Sequence, residues 1–386
     1  MDGFSPKLAR LKHEALQVVE RDVAPMAEQV DRECLWPRHS MDAFGSAGLL
    51  GLQVPEKLGG HGQGLLALSV LTESIGAACP SSALCFGMHC VGTAVIAAKA
   101  TSHHQEHYLR PIAAGKHITT LALSETGSGV YLYLPATQLT RTGDDFCVTG
   151  TKQFVTNGDH ADSYVVSAAA TTGQHELGDL SCLVIDGKTP GLEWLESWHG
   201  FGMRGNSSRG MKLNGAVVPQ RNILGEVGDQ VWYVFEVIAP YFLMAMAGCY
   251  LGIARSAVEA TGEHLRARRY GHSGEALAHA DVLQTRYAEM WTAVEKTRQL
   301  VYEAARRGDM NQTNALPMLL ACKADAADTA VYVTNQAMTI FGGSAYRDNS
   351  RIAQMLRDAR ASHVMSPTTD LLKMWTARAL LDLPLL

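Results

Sequence analysis

The sequence predicts an α+β protein in which a helical block, a strand-rich block and a second helical block follow one another along the chain. Three observations lead there. Apolar residues recur at helical spacing up to Gly115 and again after Gly225, whereas between Lys116 and Val218 they run with period two between Gly, Asn and Asp breaks. Helices and strands segregated in this way argue against alternating βαβ units. The 386 residues, 47% of them hydrophobic, are enough for roughly two or three domains, each with its own core. The boundaries fall at 1–115, 116–224 and 225–386.

In the first block Leu8, Leu11, Leu16 and Val19 mark one helix, and Gly48-Leu49-Leu50-Gly51 ends a second amphipathic piece. The Gly-rich loop Gly59 to Gly64 precedes a third, Leu65 to Gly76. Pro80-Ser81-Ser82 opens a fourth that carries Cys85, Met88, Cys90 and Val91. Ser102 to Gln105 fits a capping box with Ser102 as the cap and Gln105 at the third position. His103 and His107 stand at metal-ligand spacing, but no acid or cysteine is placed to join them, so a solvated helix start is expected.

Strands are expected at Ile118 to Leu123, Gln138 to Arg141, Phe146 to Val155, Tyr164 to Ala169, Cys182 to Ile185 and Met211 to Val218. The third ends in Phe154-Val155-Thr156-Asn157-Gly158. By itself the Asn-Gly reads as a hairpin turn, although the aromatic, the β-branched residue and the hydroxyl before it would suit a planar ring. Helices are expected at Val231 to Arg269, Asp281 to Arg307, Leu316 to Ile340, Asn349 to Arg360 and Thr369 to Leu381.

A net charge of −5 gives no reason to expect nucleic acid or an anionic membrane as partner. The eight cysteines form no CxxC pair and lie mostly in apolar runs, as buried thiols of a reducing compartment would. No basic-then-apolar leader opens the chain, so a cytoplasmic location is expected. Val237 to Ala254 carries no formal charge and is long enough for a membrane span, but Pro240, Gly248 and Gly252 and the absence of a flanking basic cluster favour a buried core helix.

Five blocks resemble the acyl-CoA dehydrogenase family of flavoproteins, and the likeness runs from about Leu8 to Leu381. They are Ser102 to Gly115; Leu121-Ala122-Leu123-Ser124-Glu125-Thr126-Gly127-Ser128-Gly129; Gly150 to Gly158; Gly200 to Ser208 with Val217-Val218-Pro219 and Ile223-Leu224-Gly225; and Phe341-Gly342-Gly343 with Leu356-Arg357-Asp358-Ala359-Arg360. The resemblance implies an N-terminal helical domain, a central β-barrel-like domain and a C-terminal four-helix bundle. It implies FAD held by Leu121, Leu123, Ser124, Gly129, Val130, Phe154, Val155, Thr156 and Thr368. Gly342 and Gly343, with an arginine of the Arg266 to Arg269 cluster such as Arg268, would meet the dinucleotide of a neighbouring subunit in a homodimer or homotetramer. His89, Tyr241, Phe242 and Met365 would line the substrate pocket.

The departures bear on chemistry. A typical member removes the α-proton of an acyl thioester with a glutamate while hydride leaves the β-carbon for the flavin. The position matching that glutamate holds Ser366, and the alternative position used by some members holds Phe242, with Leu243 where an arginine usually stands. An unassisted serine is no base near neutral pH. Val130-Tyr131 replaces a Ser-Asp ending, and Thr339 replaces a glutamine. Asp370, His363, His89 and Tyr131 are the candidate substitutes, each with a plainer reading as a helix-start charge, a satisfied histidine or a packing side chain. Three functions follow from the resemblance: an FAD oxidoreductase acting on an acyl thioester of CoA or a carrier protein without the usual glutamate, a flavin-dependent monooxygenase, or a non-catalytic flavin-binding paralogue. Electron-transfer flavoprotein or O2 would accept the electrons.

Overall fold

The computed structural model describes residues 3–129, 131–170, 180–228 and 231–385. The chain opens with α1 (Pro6–Val18), α2 (Ala27–Arg32), α3 (Arg38–Ser46), α4 (Leu65–Ala78), α5 (Pro80–Ala98), α6 (Ser102–His104) and α7 (Arg110–Ala113). Pro6 sits in the first turn of α1, where its missing N–H costs nothing, and the Ser5 hydroxyl accepts from Leu8 N. The capping box before α6 lies one residue earlier than the sequence suggests. Thr101 is the cap, and the His104 imidazole Nδ1 accepts the Thr101 N–H at 3.2 Å, the part expected of Gln105. Gln105 turns instead to the Ala100 carbonyl. His103 is not simply solvated, since its Nε2 lies 3.1 Å from Asn222 Oδ1; among the described residues no metal-holding group of three exists.

The middle of the chain is one sheet of β1 (Thr119–Ala122), β2 (Gln138–Thr142), β3 (Asp145–Val155), β4 (Ser163–Ala170), β5 (Leu180–Asp186), β6 (Leu192–Trp194), β7 (Arg209–Val218) and β8 (Ile223–Leu224). Its order is β6-β7-β3-β2-β4-β5-β8, with β1 beside β4 in parallel. Because β3 pairs with β2 and β7, and not with β4, Asn157-Gly158 does not close a hairpin. Strands β6 and β8 were not legible in the sequence; three and two residues are too few for a period to show.

The last block is α8 (Ala239–Ala267), entered through a π-helical turn at Tyr233–Ile238, then α9 (Asp281–Asp309), α10 (Ala315–Phe341), α11 (Arg351–Val364) and α12 (Thr369–Leu380). Helix α8 is a buried core element, and α5, also long and apolar enough to cross a membrane, is less apolar but more buried. Gly248 lets α8 lie directly on α4, since any side chain there would collide with Ser69 and Thr72. One hydrophobic core runs through all three blocks, and a small second cluster of Leu243, Leu320, Ala324, Leu371, Leu372 and Trp375 seats α12.

Candidate active site

The edge of the sheet, α5, the start of α8 and the end of α11 enclose a cavity of about 660 Å³. Strand β3 supplies its central wall through an irregularity. The register with β7 shifts between Lys152 and Val155, and Phe154 takes a left-handed φ of 55°. Ordinary alternation would put Lys152, Phe154 and Thr156 on one face. The break instead buries Lys152 and Val155, leaves Phe154 65% exposed at the rim, and brings Thr156 to the cavity wall. Trp198 meets Phe154 edge-on at 6.4 Å. Asn157 then ties the wall to the N-terminal helices, donating from Nδ2 to Cys85 O and accepting from Trp36 Nε1 at 2.9 Å.

Among the described residues lining the cavity, Glu125 is the one carboxylate, and it is committed elsewhere. Its oxygens accept from Lys152 Nζ at 2.5 Å, Ala136 N at 2.6 Å, and Thr137 N and Oγ1 at 3.2 and 2.7 Å. Burial pushes this carboxyl up, but the Lys152 ammonium, the Thr137 hydroxyl and the Ala136 amide together hold it below the usual carboxylate range. A carboxylate held so is a poor proton acceptor. Ser366 and Phe242 both reach the cavity wall, Ser366 with no hydrogen-bond partner among the described residues and Phe242 wholly apolar. Beside them Met365 lines the wall and its Sδ accepts from Tyr250 Oη at 3.1 Å. Two arginines also line the cavity. Arg357 donates to Asp31 and to Phe201 O, whereas Arg360 makes no hydrogen bond or ion pair among the described residues.

Two buried groups brace the walls from behind. Asp358 accepts the Met203 N–H at 2.6 Å, holding the loop through Gly202, and burial pushes its pKa up to about 6. Lys323 donates from Nζ to the carbonyls of Ser362, Met365 and Pro367; burial pulls its pKa down to about 7, while those three carbonyls favour the ammonium.

Of the residues anticipated for the site, Leu121, Leu123, Ser124, Gly129, Phe154, Thr156, Phe242, Met365 and Ser366 are brought together here. Others are not. Val155 is buried within the sheet opposite Arg209. His89 is sealed in the core, with Nδ1 accepting from Thr119 N and Nε2 bonded to Leu50 O; burial lowers its pKa to about 4, so it is a neutral structural residue. Tyr241 packs into the core beside Phe242 but off the cavity. His363 lies 3.6 Å from Asp328, and Asp370 is exposed in the first turn of α12. Tyr131 is 57% exposed and packs on Tyr133. Thr368 follows the cavity wall as the cap of α12, and Val130 lies outside the described residues. Arg268 and Gly343 line a separate cavity of about 880 Å³ with Arg347 and Arg351, and Gly342 adjoins it. Leu84, Met88, Trp198 and Ser208 on the main wall were not anticipated from the sequence; Ser208 closes the Gly200 to Ser208 block, but nothing local marks it as facing inward.

The wall suits a planar redox cofactor with a phosphate tail. Thr156 Oγ1 and Ser208 Oγ are 3.1 Å apart and share one hydrogen bond, which leaves one hydroxyl proton for a ligand. Gly127 and Gly129 have left-handed φ and open space where side chains would stand, as a backbone cradle for an anion requires. Fold and cavity together define a flavin-dependent oxidoreductase scaffold. The N-terminal, middle and C-terminal domains of acyl-CoA dehydrogenases match residues 5–116, 120–216 and 241–381. The chain is 32% identical over 365 residues to cyclohex-1-ene-1-carbonyl-CoA dehydrogenase of Geobacter metallireducens, covering 94% of this chain and 95% of that protein. It superposes on acyl-CoA dehydrogenase from Geobacillus kaustophilus with a TM-score of 0.90 at 25% identity, covering 98% and 99% of the two chains. Butyryl-CoA dehydrogenase from Megasphaera elsdenii shares the fold, with a TM-score of 0.92 at 24% identity over 98% and 99%. The chain belongs to the acyl-CoA dehydrogenase family, and its cofactor is FAD.

Proposed function

We propose that this oxidoreductase removes two hydrogens across the α and β carbons of an acyl thioester of CoA or a carrier protein, without a protein carboxylate as base. One observation supports the reading: among the described residues lining the cavity, Glu125 is the one carboxylate and is tied to Lys152, while Ser366 and Phe242 line the wall without one. Bound FAD supplies a two-electron acceptor for the hydride that leaves the β-carbon. Leu121, Leu123 and Phe154 offer apolar faces to its ring, Thr156 and Ser208 a hydroxyl donor, and the Gly127 to Gly129 turn its N–H groups to phosphate. Arg268 with Gly342 and Gly343 serves the dinucleotide of a second copy, so a homo-oligomer is part of the proposal. Ser366 orients the thioester by hydrogen bonding and takes up no proton at neutral pH. The α-proton passes to solvent water, which calls for a substrate whose α-C–H is acidified by more than the thioester carbonyl. The electron acceptor, electron-transfer flavoprotein or O2, and a cytoplasmic location complete the reading; all eight cysteines are free thiols.

Anaerobic mixing of the FAD-loaded protein with CoA and carrier-protein thioesters tests it. Flavin bleaching with formation of the α,β-unsaturated thioester is expected. Product formed only with an external reductant and O2 would make the protein an oxygenase instead, and neither that reading nor a non-catalytic one has a structural observation in its favour.

A further inference from the structure

We propose that Lys323 is a positioning residue for this cavity: from behind the wall, its ammonium fixes the turn that presents Met365, Ser366 and Pro367. The inference rests on the reading above only in taking this cavity as the reactive one. Lys323 stands on α10 and is fully buried. Its Nζ lies 2.8 Å from Ser362 O, 3.1 Å from Met365 O and 2.9 Å from Pro367 O. An ammonium has three N–H donors and no acceptor, so the three carbonyls use it completely. Among the described residues no carboxylate pairs with it: Asp325 accepts from Thr297, Asp328 holds Lys373 and faces His363, and Asp358 takes the Met203 N–H.

The Ser362 carbonyl belongs to the last turn of α11, where unpaired carbonyls favour a cation. The other two belong to residues with no helical partner of their own, and without Nζ all three would be buried acceptors lacking a donor. On the opposite side of the same backbone, Met365, Ser366 and Pro367 form part of the cavity wall. Burying an amine is costly where an apolar side chain would fill the space. What the amine adds is a fixed path for six residues of backbone, three of them held directly, and hence a fixed direction for Ser366.

The test compares Lys323→Met and Lys323→Gln with Leu320→Ala, a control on the same helix in the α12 cluster and away from the cavity. In the FAD-loaded protein, K323M should speed amide hydrogen exchange across 362–368 and shift the visible flavin band. Thioester turnover should fall by about tenfold or more, as small misplacements at reacting centres do, with KM changed less than kcat. K323Q keeps two N–H donors and should lie between; if K323M does not fold, K323Q carries the comparison. L320A should lower the melting temperature while leaving exchange at 362–368 and the flavin band as in the wild type. Wild-type loop exchange and flavin band in the folded lysine variants would overturn the proposal, as would an L320A protein reproducing every change. Exchange and absorbance need no substrate, so they decide the matter even where the wild type oxidises none of the thioesters tried.

Discussion

Lys152 Nζ lies 2.5 Å from Glu125 Oε1, with the lysine side chain fully buried and the carboxylate 5% exposed. Removing one partner strands the other, the lysine fully buried and the carboxylate nearly so. Lys152→Met is therefore expected to cost about 3–5 kcal/mol, read by urea denaturation. The double variant K152M/E125Q should recover part of that loss, and a strictly additive cycle would show the two groups to be uncoupled.

Stability should carry the mark of Asp358. Its folded pKa is about 6 because burial opposes the charge, against about 3.9 for an unfolded aspartate. Between those values the native state holds the proton that the unfolded state has lost, so this group's contribution falls as pH rises from 4 to 6. The swing is roughly 3 kcal/mol. Asp358→Asn keeps an oxygen for the Met203 N–H and has nothing to titrate. The difference in unfolding free energy between wild type and D358N should thus move in the variant's favour across that window and stay level above pH 7.

Ser366→Glu puts a carboxylate on the cavity wall at the position that the proposed function treats as lacking its base. General-base catalysis contributes about 10²–10⁴-fold, so S366E should bleach its flavin with plain saturated acyl-CoA at least tenfold faster than the wild type. Stopped-flow absorbance under nitrogen reads it. No gain at any pH from 6 to 9 would mean that the α-carbon does not face this residue.

Thr156→Val removes a hydroxyl and little volume. One hydrogen bond is worth about 1 kcal/mol, so FAD affinity should drop roughly fivefold, measured by fluorescence as the cofactor is titrated back into stripped protein. An unchanged affinity would assign the spare hydroxyl proton to Ser208 alone.

Periodicity was enough to place every long helix and all strands but the shortest, because each buries one face and repeats it over several turns or pleats. What it missed depends on tertiary contact. Alternation along β3 does not reveal that Lys152 points inward, since the irregularity that turns it is set by β7, more than fifty residues away in the chain. His89 sits on an apolar helix among cavity residues such as Met88, and only the neighbours of its two ring nitrogens show it to be structural. Lys323 is one charge in an alanine-rich helix, and its three acceptors lie some forty residues further on. By contrast, Ser366 was singled out from the sequence by its place after Arg357-Asp358-Ala359-Arg360, and it does line the cavity.

The kink at Phe154 makes a short piece of chain intolerant of added length. Side chains in a strand swap faces with every residue gained or lost. Between Lys152 and Val155, β3 takes three steps where β7 takes two, from Met211 to Arg209, and that one extra residue sets Lys152 and Thr156 on opposite faces at an even spacing. A further residue gained there with the bulge kept would bring ammonium and hydroxyl to the same face. The spacing from that lysine to that threonine is a ruler the architecture cannot lengthen.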